Sequence, residues 1–145
     1  MRNIFLAIVI ILISFGLACK KNSSSQPNPN INFSATLNGA KETPANNSTA
    51  TGSATGTFNI QTKILTLTIT YSGLTPIAGH IHKGAQTDPP GPVVFPFTDV
   101  STTPFNFTSP VLTAAQEADL MAGLYYVNLH TTAYQGGEIR GQITK

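Results

Sequence analysis

The stretch KILTLTITYS, residues 63–72, alternates apolar and hydroxyl-bearing side chains with a period of two. One face of the segment would carry four apolar side chains, those of Leu65, Leu67, Ile69 and Tyr71. The other face would carry three hydroxyls, those of Thr66, Thr68 and Thr70. Because successive side chains of a strand point to opposite faces of a sheet, this pattern predicts a half-buried β-strand.

Shorter segments with strand character continue on both sides of this stretch. They are residues 31–37, 55–61, 78–83, 93–97, 105–108, 124–131 and 138–144. Turn-forming residues separate them, including three prolines in 84–92, and residues 40–54 are predicted to form a loop. Closely spaced strands with turns between them predict an all-β antiparallel sandwich or barrel, immunoglobulin-like or superoxide-dismutase-like.

One short helix is predicted to interrupt the strands. Thr113 and Gln116 have the spacing of a capping box, and Glu117 and Asp119 follow where a helix N-terminus favours negative charge. Gly123 is suited to end the helix. The helix would therefore span about two and a half turns at one end of the sheet.

The N-terminus has the features of an export signal. Arg2 precedes 14 apolar or small residues at 4–17, too few for a permanent membrane span of about 20 residues. Gly16-Leu17-Ala18-Cys19 resembles a bacterial lipobox, in which the cysteine is lipidated, although Gly16 stands where leucine is usual. The alternative is ordinary cleavage that releases a soluble protein. We predict a signal peptide over 1–18, lipidated Cys19 with a flexible tether over 19–30, and one domain over 31–145.

The composition excludes several classes of protein. Cys19 is the only cysteine of the 145 residues, so the domain has no intrachain disulfide. Without Arg2, seven Lys and Arg face six Asp and Glu, a net charge of +1 with no basic cluster beyond Lys20-Lys21. Nucleic acid is therefore not an expected partner. The sequence has no Gly-x-Ser-x-Gly elbow and no phosphate-binding glycine loop. Hydrolases with that nucleophile elbow and enzymes with that phosphate loop are therefore excluded.

The three histidines of the chain are predicted to share one face. His80 and His82 are two residues apart on a strand, so both imidazoles project to the same side. A hairpin centred on Tyr134 would place His130 opposite Glu138. If the strands adjoin, three imidazoles and a carboxylate converge, which is suitable for one copper or zinc ion. Simple hydrogen-bonded pairing of polar side chains is the structural alternative.

The same hairpin predicts further pairs on this face, Asn128 opposite Arg140 and Tyr126 opposite Gln142. Arg140 could form an ordinary salt bridge with Glu138 or Glu42, or act as an anion clamp. No catalytic residue is predicted.

An ordered set of motifs resembles the CHRD (chordin) domain. The matching pieces are Leu37-x-Gly39-x-x-Glu42-x-Pro44, Ala54-Thr-Gly56, Ala78-Gly-His80-Ile-His82-x-Gly84, Gly91-Pro-Val, Gly123-x-Tyr125-Tyr-Val-Asn128-x-His130-Thr131 and Gly137-Glu-Ile-Arg-Gly-Gln142. The resemblance implies an extracytoplasmic β domain, and its strongest positions are Glu42, His80, His82, Asn128, His130, Glu138 and Arg140. The chain has no cysteine-rich module, so the growth-factor binding of animal chordin is not expected.

Gly79-His80-Ile81-His82 also resembles the copper-binding strand of copper/zinc superoxide dismutase. That enzyme uses six histidines and a disulfide, so a standard dismutase is excluded. Two functions remain: a non-enzymatic binding or adhesion module, or a mononuclear copper or zinc protein with possible dismutase-like redox activity. In both, lipidated Cys19 would hold the protein at a membrane of the bacterial envelope. Lys20, where an inner-membrane retention signal has Asp, favours the outer membrane.

Overall fold

The computed structural model of the protein describes residues 28–145. The predicted signal peptide, Cys19 and most of the predicted tether lie outside the described residues. The strands are β1 Asn30–Asn38, β2 Thr51–Asn59, β3 Ile64–Ser72, β4 Ala78–Lys83, β5 Val93–Pro96, β6 Phe105–Thr108, β7 Tyr125–His130 and β8 Ile139–Gln142. One α-helix, α1, spans Ala114–Met121, and a 3-10 turn spans Gly39–Lys41.

All eight strands form one antiparallel sheet that curls into a half-barrel, in the order β5-β4-β7-β8-β1-β2-β3-β6. The all-β antiparallel prediction with one short helix is therefore confirmed. The apolar faces of the strands point into the curl, where Phe58, Leu65, Ile81 and Leu129 have no exposed surface. Burial of these side chains is the main contribution to stability in a chain without disulfides. Within residues 28–145, no helix combines the length and the hydropathy that crossing a bilayer would require.

The strand predicted from residues 63–72 is observed as β3, next to β2 and β6. Its leucines and Ile69 are buried, and its threonines are exposed, as the alternation predicts. Lys63 is not part of the strand: it adopts a positive φ of 60° in the turn that joins β2 and β3. In this turn, the side-chain oxygen Oδ1 of Asn59 accepts hydrogen bonds from the backbone N–H groups of Gln61 and Thr62.

The predicted loop over residues 40–54 is wrong in its last four residues. Thr51–Asn59 forms β2, in which Ala54 is fully buried between Ala35 and Ile69. The start of the strand has no apolar pattern, because its first three inward positions are small: Gly52, Ala54 and Gly56. Their small size leaves space for neighbouring strands, since a Cβ at Gly56 would lie 1.8 Å from the Thr66 carbonyl.

Helix α1 forms with the predicted cap. The Gln116 N–H donates to Thr113 Oγ1 at 3.2 Å, and the Thr113 N–H donates to Gln116 Oε1 at 2.9 Å. Gly123 follows the helix with a φ of 70°. The helix is fixed to the sheet by buried Leu120 and by two ion pairs, Glu117 with Lys63 at 2.9 Å and Asp119 with Lys83 at 2.8 Å.

The outward faces of the two halves of the sheet differ. Across β1, β2, β3 and β6 the outward residues are uncharged Thr, Ser and Asn, apart from Ile64 at the start of β3, and most of them are exposed. Across β4, β7 and β8 the outward residues, apart from Ala78, are larger, polar and mostly buried, because the loops at residues 42–48 and 84–92 lie over them. This covered half contains the three histidines.

Candidate metal centre

Adjacent strands β4 and β7 position the three histidines. In their ladder His80 is opposite Asn128, His82 is opposite Tyr126, and Ala78 is opposite His130. The side chains of His80, His82 and His130 therefore project from the same face of two paired strands. The predicted convergence of the imidazoles is what the structure contains, although the two sequence segments are 50 residues apart.

The donor atoms of the three imidazoles are close enough to share one ion. One nitrogen from each ring lies within 4.8 Å of the others. Nδ1 of His80 is 3.1 Å from Nε2 of His130. Two ligands bound at about 2.0–2.1 Å to one tetrahedral zinc ion lie roughly 3.3 Å apart, so this pair already has a suitable separation.

Backbone carbonyls orient two of the rings. Nδ1 of His82 is 2.9 Å from the Gly91 carbonyl oxygen, and Nδ1 of His130 is 2.9 Å from the Gln135 carbonyl oxygen. A carbonyl only accepts, so Nδ1 of each ring carries the proton and Nε2 carries the lone pair. Such a bond to the distal nitrogen is how metal-binding histidines are commonly held.

Two further observations concern the ring nitrogens that do not bond to a backbone carbonyl. Because Nε2 of His130 carries a lone pair, the His80–His130 contact is a hydrogen bond donated by Nδ1 of His80. A metal ion bound to both atoms would take the place of that proton. Nε2 of His82 is buried and has no hydrogen-bond partner among the described residues. A buried acceptor without a partner is costly, and an ion would satisfy it.

The surroundings of the cluster favour neutral imidazoles. Burial lowers the pKa of His80, and positive charge on His130 or His82 would lower it further. Burial also lowers the pKa of His82; the bond to Gly91 acts in the opposite direction, and His130 and Arg140 lower it again. The neutral form of imidazole is the form that binds metal ions.

Tyr126 supports His82 from the neighbouring strand. The two rings are stacked with centroids 5.1 Å apart and an interplanar angle of 6°. The guanidinium carbon of Arg140 lies 3.5 Å from the centroid of the same Tyr126 ring. Since β7 lies between β4 and β8, the tyrosine ring is held between the imidazole and the guanidinium. The Tyr126 hydroxyl accepts a hydrogen bond from the Gly91 N–H, which also fixes the loop that orients His82.

The remaining polar residues connect the sheet to the loops above it. The ladder pairs Asn128 with Arg140 and Tyr126 with Gln142, as predicted. Arg140 donates from Nη2 to the Ala85 carbonyl at 2.7 Å, and no salt bridge to Glu42 or Glu138 forms in the described structure. Gln142 donates to the Gly84 carbonyl at 2.8 Å.

Glu42 is buried beside Arg140. Burial raises the pKa of Glu42 to about 7, and the Arg140 charge, the Thr43 N–H and the Asn128 amide act in the opposite direction. Its Oε1 atom is buried and has no hydrogen-bond partner among the described residues. Glu42 is therefore a carboxyl group that changes its protonation near neutral pH.

Glu138 does not join the histidines, contrary to the predicted convergence of a carboxylate with them. Its Oε1 accepts a hydrogen bond from Ser48, and its Oε2 accepts one from Thr131, each at 2.6 Å. The group of potential metal ligands in residues 28–145 contains the three histidines alone. The carboxylate instead attaches the loop containing Ser48 to the end of β7.

Sequence reasoning missed the groups that orient the imidazoles. They are the backbone carbonyls of Gly91 and Gln135, and every residue has such a carbonyl, so no residue type could have indicated them. The Glu138 partners Ser48 and Thr131 were also missed. Ser48 is 90 residues away in a segment with no regular structure, and only the fold brings it to Glu138.

Comparison with known protein families connects this geometry to a family. The family model of the CHRD domain matches residues 33–143. The chain belongs to the CHRD domain family. The match covers all eight strands in whole or in part, so the histidine cluster lies on the CHRD domain itself. Comparisons with curated proteins and with solved structures gave no match.

Proposed function

We propose that this CHRD domain binds a single copper or zinc ion through His80, His82 and His130. The observation that carries the proposal is the buried Nε2 of His82, which has no partner among residues 28–145 and belongs to a cluster of three imidazoles. Structural polar pairing leaves this nitrogen without a partner among the described residues, whereas an ion held by the three imidazoles would satisfy it. Imidazole ligands suit both ions, and thiolate ligands, which would favour zinc or copper(I), are absent from the domain.

Calorimetric titration with Cu²⁺ and Zn²⁺ tests the proposal, using full-length protein without a histidine tag. We expect one ion per chain in the wild type and no binding by the double variant His80→Ala/His82→Ala. Thr68→Ala, on the exposed hydroxyl face, serves as the matched control and should bind as the wild type does. Equal binding by wild type and double variant, or no binding by either, would falsify the proposal.

Three protein ligands leave one position of a tetrahedral ion open. His80 is the least buried of the three histidines, so a small molecule could approach the ion from its side. This favours a second candidate function, redox chemistry of the superoxide-dismutase type at copper. Copper-loaded protein should then remove superoxide, and His130→Ala should lose both the copper and the activity. Stoichiometric copper without activity would assign the domain to binding alone.

We also propose that the domain is a lipoprotein of the bacterial envelope, with the outer membrane favoured. Cys19 directly follows the apolar segment, and the first strand begins only 11 residues later at Asn30. In this arrangement the domain is a membrane-tethered module for binding or adhesion, and the metal centre is the binding site it presents. Labelled palmitate should be incorporated by the wild type and not by Cys19→Ser. No incorporation in the wild type contradicts the anchor.

A further inference from the structure

The half-barrel is open between its two edge strands, β5 and β6. In the part of the chain that the structure describes, each pairs with one neighbour only, β5 with β4 and β6 with β3. The two edges face each other across a groove of about 450 Å³, which we call the seam. Phenylalanine rings from both sides meet at its base: Phe97 is 5.2 Å from Phe105 and 5.3 Å from Phe107 between ring centroids.

The β6 side of the seam presents backbone groups with no ladder partner. The Ser109 N–H donates to the Leu65 carbonyl, so the residues of β6 that bond to β3 are the odd-numbered ones. In an antiparallel pair the intervening residues direct N–H and C=O to the other side. Asn106 and Thr108 therefore direct two N–H and two C=O groups into the seam.

The β5 side of the seam is less suited to strand addition. Pro96 has no N–H, and the register with β4 shifts between Ile81 and His82. Proline and irregular pairing are how sheets prevent edge pairing. On β6 the prolines stand only outside the strand, at Pro104 and Pro110, and leave a free edge between them.

We propose that the β6 edge binds an extended peptide segment of a partner protein, which adds as a ninth strand and fills the seam. Main-chain hydrogen bonds to Asn106 and Thr108 would hold the peptide. Its residues opposite Phe105 and Phe107 would point to the aromatic base of the groove and should be small and apolar. Its alternate residues would lie beside the exposed Asn106 and Thr108 and should be polar.

Asp99 favours a cationic residue at one end of a bound peptide. Among the described residues that line the seam, Asp99 alone is charged. Because β5 and β6 run antiparallel, Asp99 is near the N-terminal end of β6, where a peptide antiparallel to β6 would have its C-terminal end. A Lys or Arg is therefore expected at the C-terminal end of the bound segment.

The blocked peptide acetyl-Thr-Val-Thr-Val-Lys-amide has the expected alternation of polar and small apolar residues and the expected C-terminal lysine, and it serves as the probe. We expect saturable binding to the full-length protein, with hydrogen-exchange protection appearing at the Asn106 and Thr108 amides. A matched peptide with methylated threonine nitrogens cannot donate to the edge and should bind at least about tenfold more weakly, since it loses two hydrogen bonds. Asp99→Asn should reduce the preference for lysine over a neutral last residue.

The protein variant Thr108→Pro removes one N–H from the seam without removing a bond to β3, and should weaken binding about fivefold. Val111→Ala, an exposed change outside the groove, is its control. Protection of Asn106 in the wild type tests the proposal even if Thr108→Pro fails to fold. No saturable binding at millimolar peptide, or protection at other strands, overturns the proposal. Self-association of the protein with protection at β6 overturns it in favour of a second copy as the occupant.

Discussion

At the scale of single residues, Glu42 makes the stability of the fold depend on pH. Its carboxyl group has a pKa of about 7 in the folded protein, against an ordinary value of 4.5. The folded state therefore holds a proton that the unfolded state has released between these two values. By linkage, the stabilisation that Glu42 provides is present below about pH 4.5 and is lost as pH rises to about 7.

We predict that Glu42→Gln removes this dependence. The melting temperature of the wild type should fall relative to that of Glu42→Gln as pH rises from 5 to 8. The lowered pKa values of His80 and His82 have the opposite effect below pH 6.5, and the comparison of the two proteins cancels it. The measurement is thermal unfolding at several pH values; parallel curves for the two proteins would contradict the prediction.

A second prediction concerns Gly137. Its φ is 133°, and a Cβ there would lie 2.6 Å from Glu42 Oε1 and from both amide atoms of Asn128. Gly137→Ala should therefore destabilise the fold by about 1–3 kcal/mol through backbone strain, in addition to the steric clash. Gly136→Ala is a neighbouring control, since a Cβ there meets nothing within 4 Å. If the two variants unfold at the same denaturant concentration, neither the positive φ of residue 137 nor its short distance to Glu42 and Asn128 requires glycine.

At the scale of elements, most of the fold could be predicted from local pattern. β3 and β4 follow from periodicity or composition, and α1 follows from its cap, because in each case neighbouring residues determine the structure. The start of β2 could not be predicted, since Thr51–Ala54 is a strand only through its ladders to β1 and β3. Small, polar residues in a central strand have no local signature.

The capping box gives a prediction for α1. Thr113→Ala removes the side-chain acceptor for the Gln116 N–H and should reduce stability by about 1 kcal/mol. Thr113→Ser retains an acceptor and should unfold at nearly the wild-type denaturant concentration. If alanine and serine behave alike in urea titrations, the cap does not contribute.

At the scale of the whole molecule, the metal centre would join two strands whose histidines lie 50 residues apart. A ligand that binds only the folded state raises stability, by about 2.7 kcal/mol at 100 times its dissociation constant. We predict that Zn²⁺ or Cu²⁺ raises the melting temperature by several degrees, and that Mg²⁺ does not. His82→Ala should abolish the shift. A shift that persists in this variant would place the ion elsewhere.

The candidate site was predictable in its residues and only partly in its geometry. The alternation of His80 with Ile81 and of Asn128 with Leu129 determines which side chains share a face. That β4 lies beside β7 is a property of the complete sheet, and it was an assumption of the sequence argument. Glu138 shows the limit of such reasoning. Its side chain turns to Ser48 and Thr131 instead of the imidazoles, because one hydroxyl from a covering loop and one from the end of β7 satisfy the carboxylate.

The position of β8 has a consequence for biosynthesis. This strand, residues 139–142, lies between β7 and β1, and it is the connection between the two halves of the sheet. While residues 139–142 are still inside the ribosome, β1 has no neighbour on one side and the strands that carry the histidines are not joined to it. The domain can complete its sheet only after residues 139–142 have emerged, so its two halves would join only once all of residues 30–138 have been made.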